Sequence, residues 1–240
     1  MACARLIFNS GADAARCRVV DSKGILHKGR SDIELRKAEF VDKWKMCQST
    51  NAEGRQGGIP EAMKGADVVI ALSKPGPGTL LPEWIGAMAD GAIVFAMANP
   101  VPEIWPWEAE EAGAAIVATG RSDFPNQVNN SLGFPGIFRG TLDVRATTIT
   151  DPMCVAAAEA LAGMAAEKGL NPHYILPTMD EWEVFPREAA AVAAKAVEEG
   201  VARKPLSYDE ELANASEIIR RSRNLTQSMM KEDFILDPDA

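Results

Sequence analysis

Side-chain amides are concentrated in one short segment, residues 120–140, which reads GRSDFPNQVNNSLGFPGIFRG. The amides are Asn126, Gln127, Asn129 and Asn130, and they lie between two Phe-Pro steps. Glycine and proline punctuate the segment throughout, so it is expected to fold tightly. Amide groups held on a stiffened loop are well placed to hydrogen-bond a ligand. The segment is therefore a candidate binding loop.

Short apolar runs alternate with helical patterns in the part of the chain that leads to this loop. The runs CRVVD, DVVIALS, AIVFAMANP and AAIVATG predict strands. Helices are predicted between them, for example at residues 33–46, with Ser31 or Asp32 as the cap, and at residues 59–65. This spacing favours right-handed βαβ units. The predicted fold is a Rossmann-like α/β domain, a doubly wound parallel sheet covered by helices on both faces.

Polar residues stand where several of the predicted strands end. They are Asp21, Ser73, Asn99 and the loop at residues 121–130. Ligands of such sheets bind at the carboxyl ends of the strands. The sequence therefore places the amide loop and these side chains around one ligand site.

Each of these residues also has a structural alternative. Asp21 begins an Asp-Ser-Lys-Gly sequence, which is good turn chemistry. Asn99 precedes Pro100 and could cap a turn. Asn129 and Asn130 could hold their own loop together through side-chain to backbone hydrogen bonds. Their joint placement at strand ends favours the ligand site.

Composition excludes several classes of function. The 240 residues carry a formal net charge of −9, and no basic stripe is interleaved with aromatics, so nucleic-acid binding is not expected. No apolar run is long enough to span a bilayer, and the N-terminus lacks a signal-peptide core, so a cytoplasmic location is expected. The four cysteines form no CxxC pair and the two histidines no metal box, so no metal ligand is predicted in this chain.

Three runs of the sequence resemble the nucleotide-binding domain of malic enzymes of the bacterial and archaeal type. They are VVDSKGILHKGR at residues 19–30, VFAMANPVPEI at residues 94–104 and ATGRSDFPNQVNNSLGFPGIFRGTLDVRA at residues 118–146. The resemblance extends over about residues 1–203. It implies NAD(P)-dependent oxidation of malate and decarboxylation to pyruvate, with Mg²⁺ or Mn²⁺, by a homodimer or larger homo-oligomer.

The resemblance also implies roles for individual residues. Asp21 matches the acid that bonds the adenosine ribose, and Asn99 the residue that lies against nicotinamide and malate. Ser73, at its strand end, is assigned to the cofactor as well. Asn130 is similar to the substrate ligand, with Asn129 alongside it. An amide can donate to a malate carboxylate without the desolvation cost of burying another full charge.

Asp21 is expected to favour NAD, because a carboxylate accepts from the ribose hydroxyls and repels the 2′-phosphate of NADP. Lys23, Lys28 and Arg30 are close in sequence and could soften that repulsion. Both cofactors therefore remain candidates, with NAD preferred.

The sequence departs from the family pattern at its beginning. It contains no GxGxxG phosphate turn, and in family members the tyrosine acid, the lysine base and the metal-binding carboxylates lie further upstream. No catalytic residue is therefore assigned, and the isolated chain is expected to be inactive. A truncated product, a misassigned start and one piece of a split enzyme are equally consistent with this. The other hypothesis is a non-catalytic module that acts through association.

The chain is expected to divide into a partial NAD(P)-binding domain, residues 1–170, and a C-terminal helical extension, residues 171–240. Ser207 and Glu210 form a capping-box sequence for a final amphipathic helix that runs to about Met230. Its apolar face is expected to pack on the domain or on a second subunit. Trp105, Trp107 and Trp182 are interpreted as packing residues.

Overall fold

The computed structural model describes residues 1–236, which form two compact units. The first unit contains Met1–Asn129 and Leu170–Ile175, and the second contains Asn130–Gly169 and the described residues from Leu176 onward. The division into domains 1–170 and 171–240 stays a prediction.

The first unit alternates short helices and strands, as the sequence predicted. In chain order they are α1 (Ala2–Asn9), β1 (Val20–Asp21), β2 (Gly24–Ile25), α2 (Ser31–Glu34), α3 (Val41–Ser49), α4 (Ile59–Met63), β3 (Val68–Ala71), α5 (Pro82–Ile85), β4 (Ile93–Ala96), α6 (Pro106–Glu111) and β5 (Ile116–Thr119).

Strands β3, β4 and β5 form a parallel sheet in that order, which confirms the predicted α/β class. Val68 lies opposite Ile93, and Ile93 lies opposite Ile116, so the strands end at the same level. Val94 and Ala96 of the central strand β4 are fully buried. Their neighbours in the core come from strand β5 and from the flanking helices and loops, and they include Met63, Leu80, Ile85, Ile104, Ala109 and Val117.

The predicted strand at residues 17–21 pairs outside the parallel sheet. Val20 and Asp21 pair antiparallel with Ile25 and Gly24, so β1 and β2 form a small hairpin. The turn is stabilised locally, because the Lys23 amide donates to Asp21 Oδ1 at 2.9 Å. Gly24 has φ +113, and a Cβ there would lie 2.4 Å from the carbonyl oxygen of Gly57. Glycine is therefore required at the point where this hairpin meets the following loop.

The helix predicted at residues 33–46 is interrupted, and this prediction was wrong. The chain forms α2 and α3, with turns between Glu34 and Val41. Asp32, one of the two expected caps, accepts hydrogen bonds from Arg30 at 2.8 and 3.0 Å. Its carboxylate therefore serves an ion pair with a residue two positions before it in the chain.

The second unit is helical. It contains α7 (Asn130–Asp143), α8 (Asp151–Lys168), α9 (Val184–Glu198) and α10 (Tyr208–Lys231), and its core combines residues of α7, α8 and α9. The predicted capping box is confirmed, because Glu210 N donates to Ser207 Oγ at 3.3 Å and Ser207 N donates to Glu210 Oε2 at 2.8 Å. None of the helices within residues 1–236 combines the length and apolar character needed to cross a membrane.

Strand β3 lies at an edge of the sheet and exposes apolar side chains there. Asp67 and Ala71 accept hydrogen bonds from the β4 side, so the backbone groups of Val68, Ile70 and Leu72 point to the open edge. These three residues are 45%, 40% and 64% exposed. An exposed apolar edge strand is a template for pairing with another chain.

We expect the chain to self-associate through this edge and the Ile70→Lys variant to stay monomeric to higher concentration, because a charged edge residue opposes pairing. Sedimentation velocity over a concentration series measures this. Gln48→Lys, which adds the same charge at an exposed site on α3, is the control and should behave as the parent chain. Equal association of the parent and the Ile70→Lys chain would exclude the β3 edge as the contact.

Candidate functional site

A buried glutamate joins the loops that follow β3 and β4. Glu103 is 0% exposed; its Oε1 accepts from the backbone N and the hydroxyl of Ser73 at 2.8 and 3.1 Å. Its Oε2 accepts from Ala98 N at 2.9 Å. The sequence reasoning missed Glu103, although an acid between Pro102 and Ile104 in an apolar run is a usable signal. Ser73, predicted at a strand end, therefore has its hydroxyl engaged in holding this loop pair.

Asn99 and Asn129 are brought together at one backbone position, Gly120. A Cβ at Gly120 would lie 3.0 Å from Asn99 Nδ2 and 3.2 Å from Asn99 Oδ1, so the amide rests directly on the glycine. Asn129 Nδ2 donates to the Gly120 carbonyl oxygen at 3.2 Å. Arg121 Nη1 donates to the Pro100 carbonyl oxygen at 3.0 Å and fixes the two loops to each other. The loops after β4 and β5 thus bring both amides against Gly120.

Asn126 holds its own loop. It is 6% exposed, and its Nδ2 donates to the carbonyl oxygens of Val117 at 3.0 Å and Pro172 at 2.7 Å. Its Oδ1 accepts from Ile175 N at 2.9 Å. The backbone of Asn126 has φ +55°, a conformation that asparagine tolerates better than most residues. Asn126 therefore has the loop-holding role that the sequence analysis considered only for Asn129 and Asn130.

The remaining amides lie on either side of the boundary between the units. Gln127 forms a bridge with Thr119, and Val128 N donates to the Thr119 carbonyl oxygen at 2.7 Å. Asn130 is the first residue of α7 in the second unit, and its side chain is exposed. The loop thus extends β5 and delivers Asn130 to the start of a helix.

An aromatic cluster supports the loop after β5. Trp105 and Trp107 stack with their ring centroids 5.0 Å apart, and Phe124 contacts both edge-on. The Arg121 guanidinium lies 5.9 Å from the Trp105 ring and 5.5 Å from the Phe124 ring. Trp105 and Trp107 are packing residues, as predicted. They contact the loop that carries the amides through its residues Phe124 and Arg121.

Asp21 lies in a separate groove of the first unit, with a volume of about 550 Å³, at the β1–β2 hairpin. Its Oδ1 accepts from Lys23 N at 2.9 Å and Arg30 Nη1 at 3.1 Å. Its Oδ2 accepts from Arg30 Nη2 at 3.1 Å and Lys43 Nζ at 2.9 Å. Burial would raise the pKa of Asp21, but the hydrogen bonds from Arg30 and Lys43 outweigh it and lower the pKa to about 2. The carboxylate is therefore ionised at neutral pH.

Cationic partners extend this cluster beyond Asp21. Arg30 is itself 8% exposed, and Lys23 Nζ donates to Asp32 Oδ2 at 3.2 Å. Hydrogen bonds from Arg30 hold the pKa of Asp32 well below its usual range. Across the described residues, no group of three or more His, Cys, Asp and Glu side chains is arranged to hold a metal ion.

A family model described as "Malic enzyme, NAD binding domain" matches residues 9–199 of the chain. The bifunctional malic/malolactic enzyme of Bacillus subtilis is 45% identical over 210 residues, which cover 86% of this chain and 47% of that protein. The NAD-dependent malic enzyme of Geobacillus stearothermophilus is 41% identical over 204 residues, covering 85% of this chain and 40% of that protein.

Solved structures agree with these relatives. The malic enzyme of Entamoeba histolytica superposes with a TM-score of 0.94 at 51% identity, covering 98% of this chain and 48% of that one. The malic enzyme of Pyrococcus horikoshii superposes with a TM-score of 0.84 at 44% identity, covering 95% of this chain and 52% of that one. The chain thus spans about half the length of the relatives it matches. The match over residues 9–199, together with these structures, shows that the chain belongs to the malic enzyme family and contains its NAD-binding domain.

Proposed function

We propose that the chain supplies the cofactor-binding half and part of the substrate-binding surface of a malic enzyme. The complete enzyme would oxidise malate with NAD or NADP and decarboxylate the product to pyruvate and CO₂. Support comes from the family match over residues 9–199 and from the relatives, which include NAD- and NADP-dependent malic enzymes.

The placement of Asn99 and Asn129 against Gly120 is the observation that carries the proposal. Both amides stand at the carboxyl ends of β4 and β5, the edge at which ligands of parallel sheets bind. Amides donate to a carboxylate without adding a second buried charge. We assign Asn99, Asn129 and Asn130 to malate, and Asp21, Ser73 and Asn99 to the dinucleotide.

The proposed roles are ones of binding and orientation. Glu103 fixes the loops that carry Ser73 and Asn99, so the amide can meet its ligand without reordering. A divalent metal, Mg²⁺ or Mn²⁺, would polarise the C2 oxygen of malate, and we assign its ligands to a part of the enzyme outside this chain. We further propose that the enzyme works as a homodimer or larger homo-oligomer.

Replacing Asn130 tests the substrate assignment. In an enzyme made by joining this chain to the preceding half of the Bacillus subtilis relative, Asn130→Ala should reduce kcat/KM for malate. The expected loss corresponds to about 1.5–3 kcal/mol, because a ligand carboxylate would lose a charge-assisted hydrogen bond. Steady-state kinetics and dinucleotide titration should show the loss in malate turnover with little change in dinucleotide affinity.

Two further arms make that experiment decisive. Asn224→Ala, the same change at an exposed site on α10, should leave kcat/KM unchanged. The 240-residue chain alone should form no NAD(P)H from malate with either metal. An Asn130→Ala enzyme with parental kcat/KM removes Asn130 from the site, and malate-dependent NAD(P)H from the chain alone means that its own residues carry the chemistry.

A non-catalytic association module is the second candidate, and the open edge of β3 favours it. The second function would be supported if the enzyme made by joining the two halves folds and binds dinucleotide but does not turn over malate. Malate turnover by the joined enzyme would support the first.

A further inference from the structure

The acceptor positions of Asp21 are already occupied within the chain. A carboxylate offers about four lone-pair positions. Lys23 N, Arg30 and Lys43 donate four hydrogen bonds to it, at 2.9 to 3.1 Å. Two ribose hydroxyls can bind this carboxylate only by displacing some of those donors. The usual reason for an acid at this position to select NAD is therefore weakened here.

The negative charge of Asp21 is compensated by neighbouring cations. Three cations, Lys23, Arg30 and Lys43, are linked by hydrogen bonds to two carboxylates, Asp21 and Asp32. These five groups carry one net positive charge, and the Glu61 carboxylate, which accepts from Gly58 N of the groove lining at 2.7 Å, balances it. A 2′-phosphate that approaches Asp21 meets a carboxylate whose charge is already compensated.

Donors suited to a phosphate line the same groove. Ser22 and Lys23 are exposed on its rim, and the Lys23 side chain is 68% exposed. His27 Nδ1 accepts a hydrogen bond from Gly29 N at 3.1 Å, so the proton of the neutral ring is on Nε2, which can donate. The hydroxyl of Ser22, the ammonium group of Lys23 and the imidazole N–H of His27 thus line the same groove.

We propose that this groove accepts a 2′-phosphorylated adenosine ribose at least as well as an unphosphorylated one, because Arg30 and Lys43 neutralise Asp21. Lys43 is the specificity-determining residue that can be tested most cleanly, since its side chain is 34% exposed and Arg30 is almost fully buried. The inference rests on the proposed function, which places the adenosine half of the dinucleotide here.

Adenosine fragments test the groove without any need for catalysis. Ligand-observed NMR titrations of the 240-residue chain with 5′-AMP, 2′,5′-ADP and 3′,5′-ADP give three dissociation constants. We expect 2′,5′-ADP to bind as tightly as 5′-AMP or up to about tenfold more tightly at low salt, with the advantage shrinking as salt screens the charges. The isomer 3′,5′-ADP carries the same charge and should bind more weakly than 2′,5′-ADP. General attraction is no explanation, because the chain has a net charge of −9.

Variants locate the effect. Lys43→Gln should weaken 2′,5′-ADP binding about three- to tenfold and change 5′-AMP binding little. Lys45→Gln removes the same charge from an exposed position on α3 and should change neither. Asp21→Asn should strengthen 2′,5′-ADP binding relative to 5′-AMP.

The possible failures are distinguishable. Tighter binding of 5′-AMP than of 2′,5′-ADP overturns the inference and leaves the adenosine subsite intact. An unchanged ratio in Lys43→Gln overturns the role of that lysine. Absence of binding by all three fragments contradicts the adenosine subsite itself, and with it the cofactor assignment in the proposed function.

Discussion

Gly140→Ala is expected to destabilise the chain by about 3 kcal/mol or more, although alanine is the better helix former. A Cβ at this position of α7 would lie 2.2 Å from the Ala189 carbonyl oxygen of α9. It would also lie 3.1 Å from Ala193 N. Both neighbours are backbone atoms, so no side-chain rotation can relieve the overlap, and the helices would have to separate. Urea denaturation followed by far-UV circular dichroism measures the change in the free energy of unfolding.

Gly163→Ala is the matched control for that experiment. Gly163 lies inside α8, and a Cβ there would have no atom within 4 Å. The substitution should stabilise the chain by roughly 0.5–1 kcal/mol, because only the helix propensity changes. Equal effects of the two alanines would show that α7 and α9 do not pack backbone to backbone at Gly140.

The stability of the chain should fall as pH rises from about 5 to about 8, and Glu188→Gln should remove most of this dependence. Glu188 is 0% exposed in the second unit, and its two carboxylate oxygens have no hydrogen-bond partner of normal geometry among the described residues. A Cβ at Gly136 would lie 2.1 Å from Glu188 Oε2, so the carboxyl group fills the space that this glycine leaves on α7. Burial raises the pKa of Glu188 from 4.5 to about 8, and the nearby Gly136 amide offsets a small part of that rise.

The sign follows from proton binding. Between the ordinary pKa and about 8 the folded state keeps the proton of Glu188 and the unfolded state has lost it, so a rise in pH favours unfolding. The full contribution is about 3–5 kcal/mol, present below the ordinary pKa and lost by the time the pH passes the folded pKa. Burial also raises the pKa of Glu211 and adds to the same trend.

Urea denaturation at about pH 5.5 and about pH 8 measures the effect, and the parent chain should lose about 3 kcal/mol between them. The Glu188→Gln chain should lose much less. Glu199→Gln, at the exposed end of the same helix, should follow the parent. If the parent and the Glu188→Gln chain depend on pH alike, Glu188 is ionised in the folded state.

Local sequence patterns predicted the elements that depend on residues close together in the sequence or on a regular apolar repeat. The apolar runs at β3, β4 and β5 could be read as strands because burial in a parallel sheet demands continuous apolar residues. The capping box at Ser207 and Glu210 uses groups three residues apart. The predicted helix at residues 33–46 was wrong as a single helix, because turns between Glu34 and Val41 separate α2 from α3. Asp32, one of the expected caps, is paired with Arg30, which also binds Asp21.

The candidate site likewise contains residues that could be assigned from the sequence and residues that could not. Asn99 and Asn129 could be assigned from strand ends and from the family resemblance, and the structure brings both to Gly120. Glu103 and the internal role of Asn126 could not be assigned. Their partners are separated from them in sequence by up to 30 residues for Glu103 and 49 for Asn126, so no local spacing encodes the pairing.

The sequence by itself determined the class of fold, the family and the positions at which ligand-binding side chains can stand. These depend on periodicity, turn chemistry and motifs, which are properties of neighbouring residues. Only the tertiary structure decided which polar groups are already in use. Ser73 and Asn126 are engaged within the first unit, and Asp21 is neutralised by Lys43, 22 residues further along the chain. The physical reason is that hydrogen-bond capacity and charge compensation depend on distances in space, which only the folded chain sets.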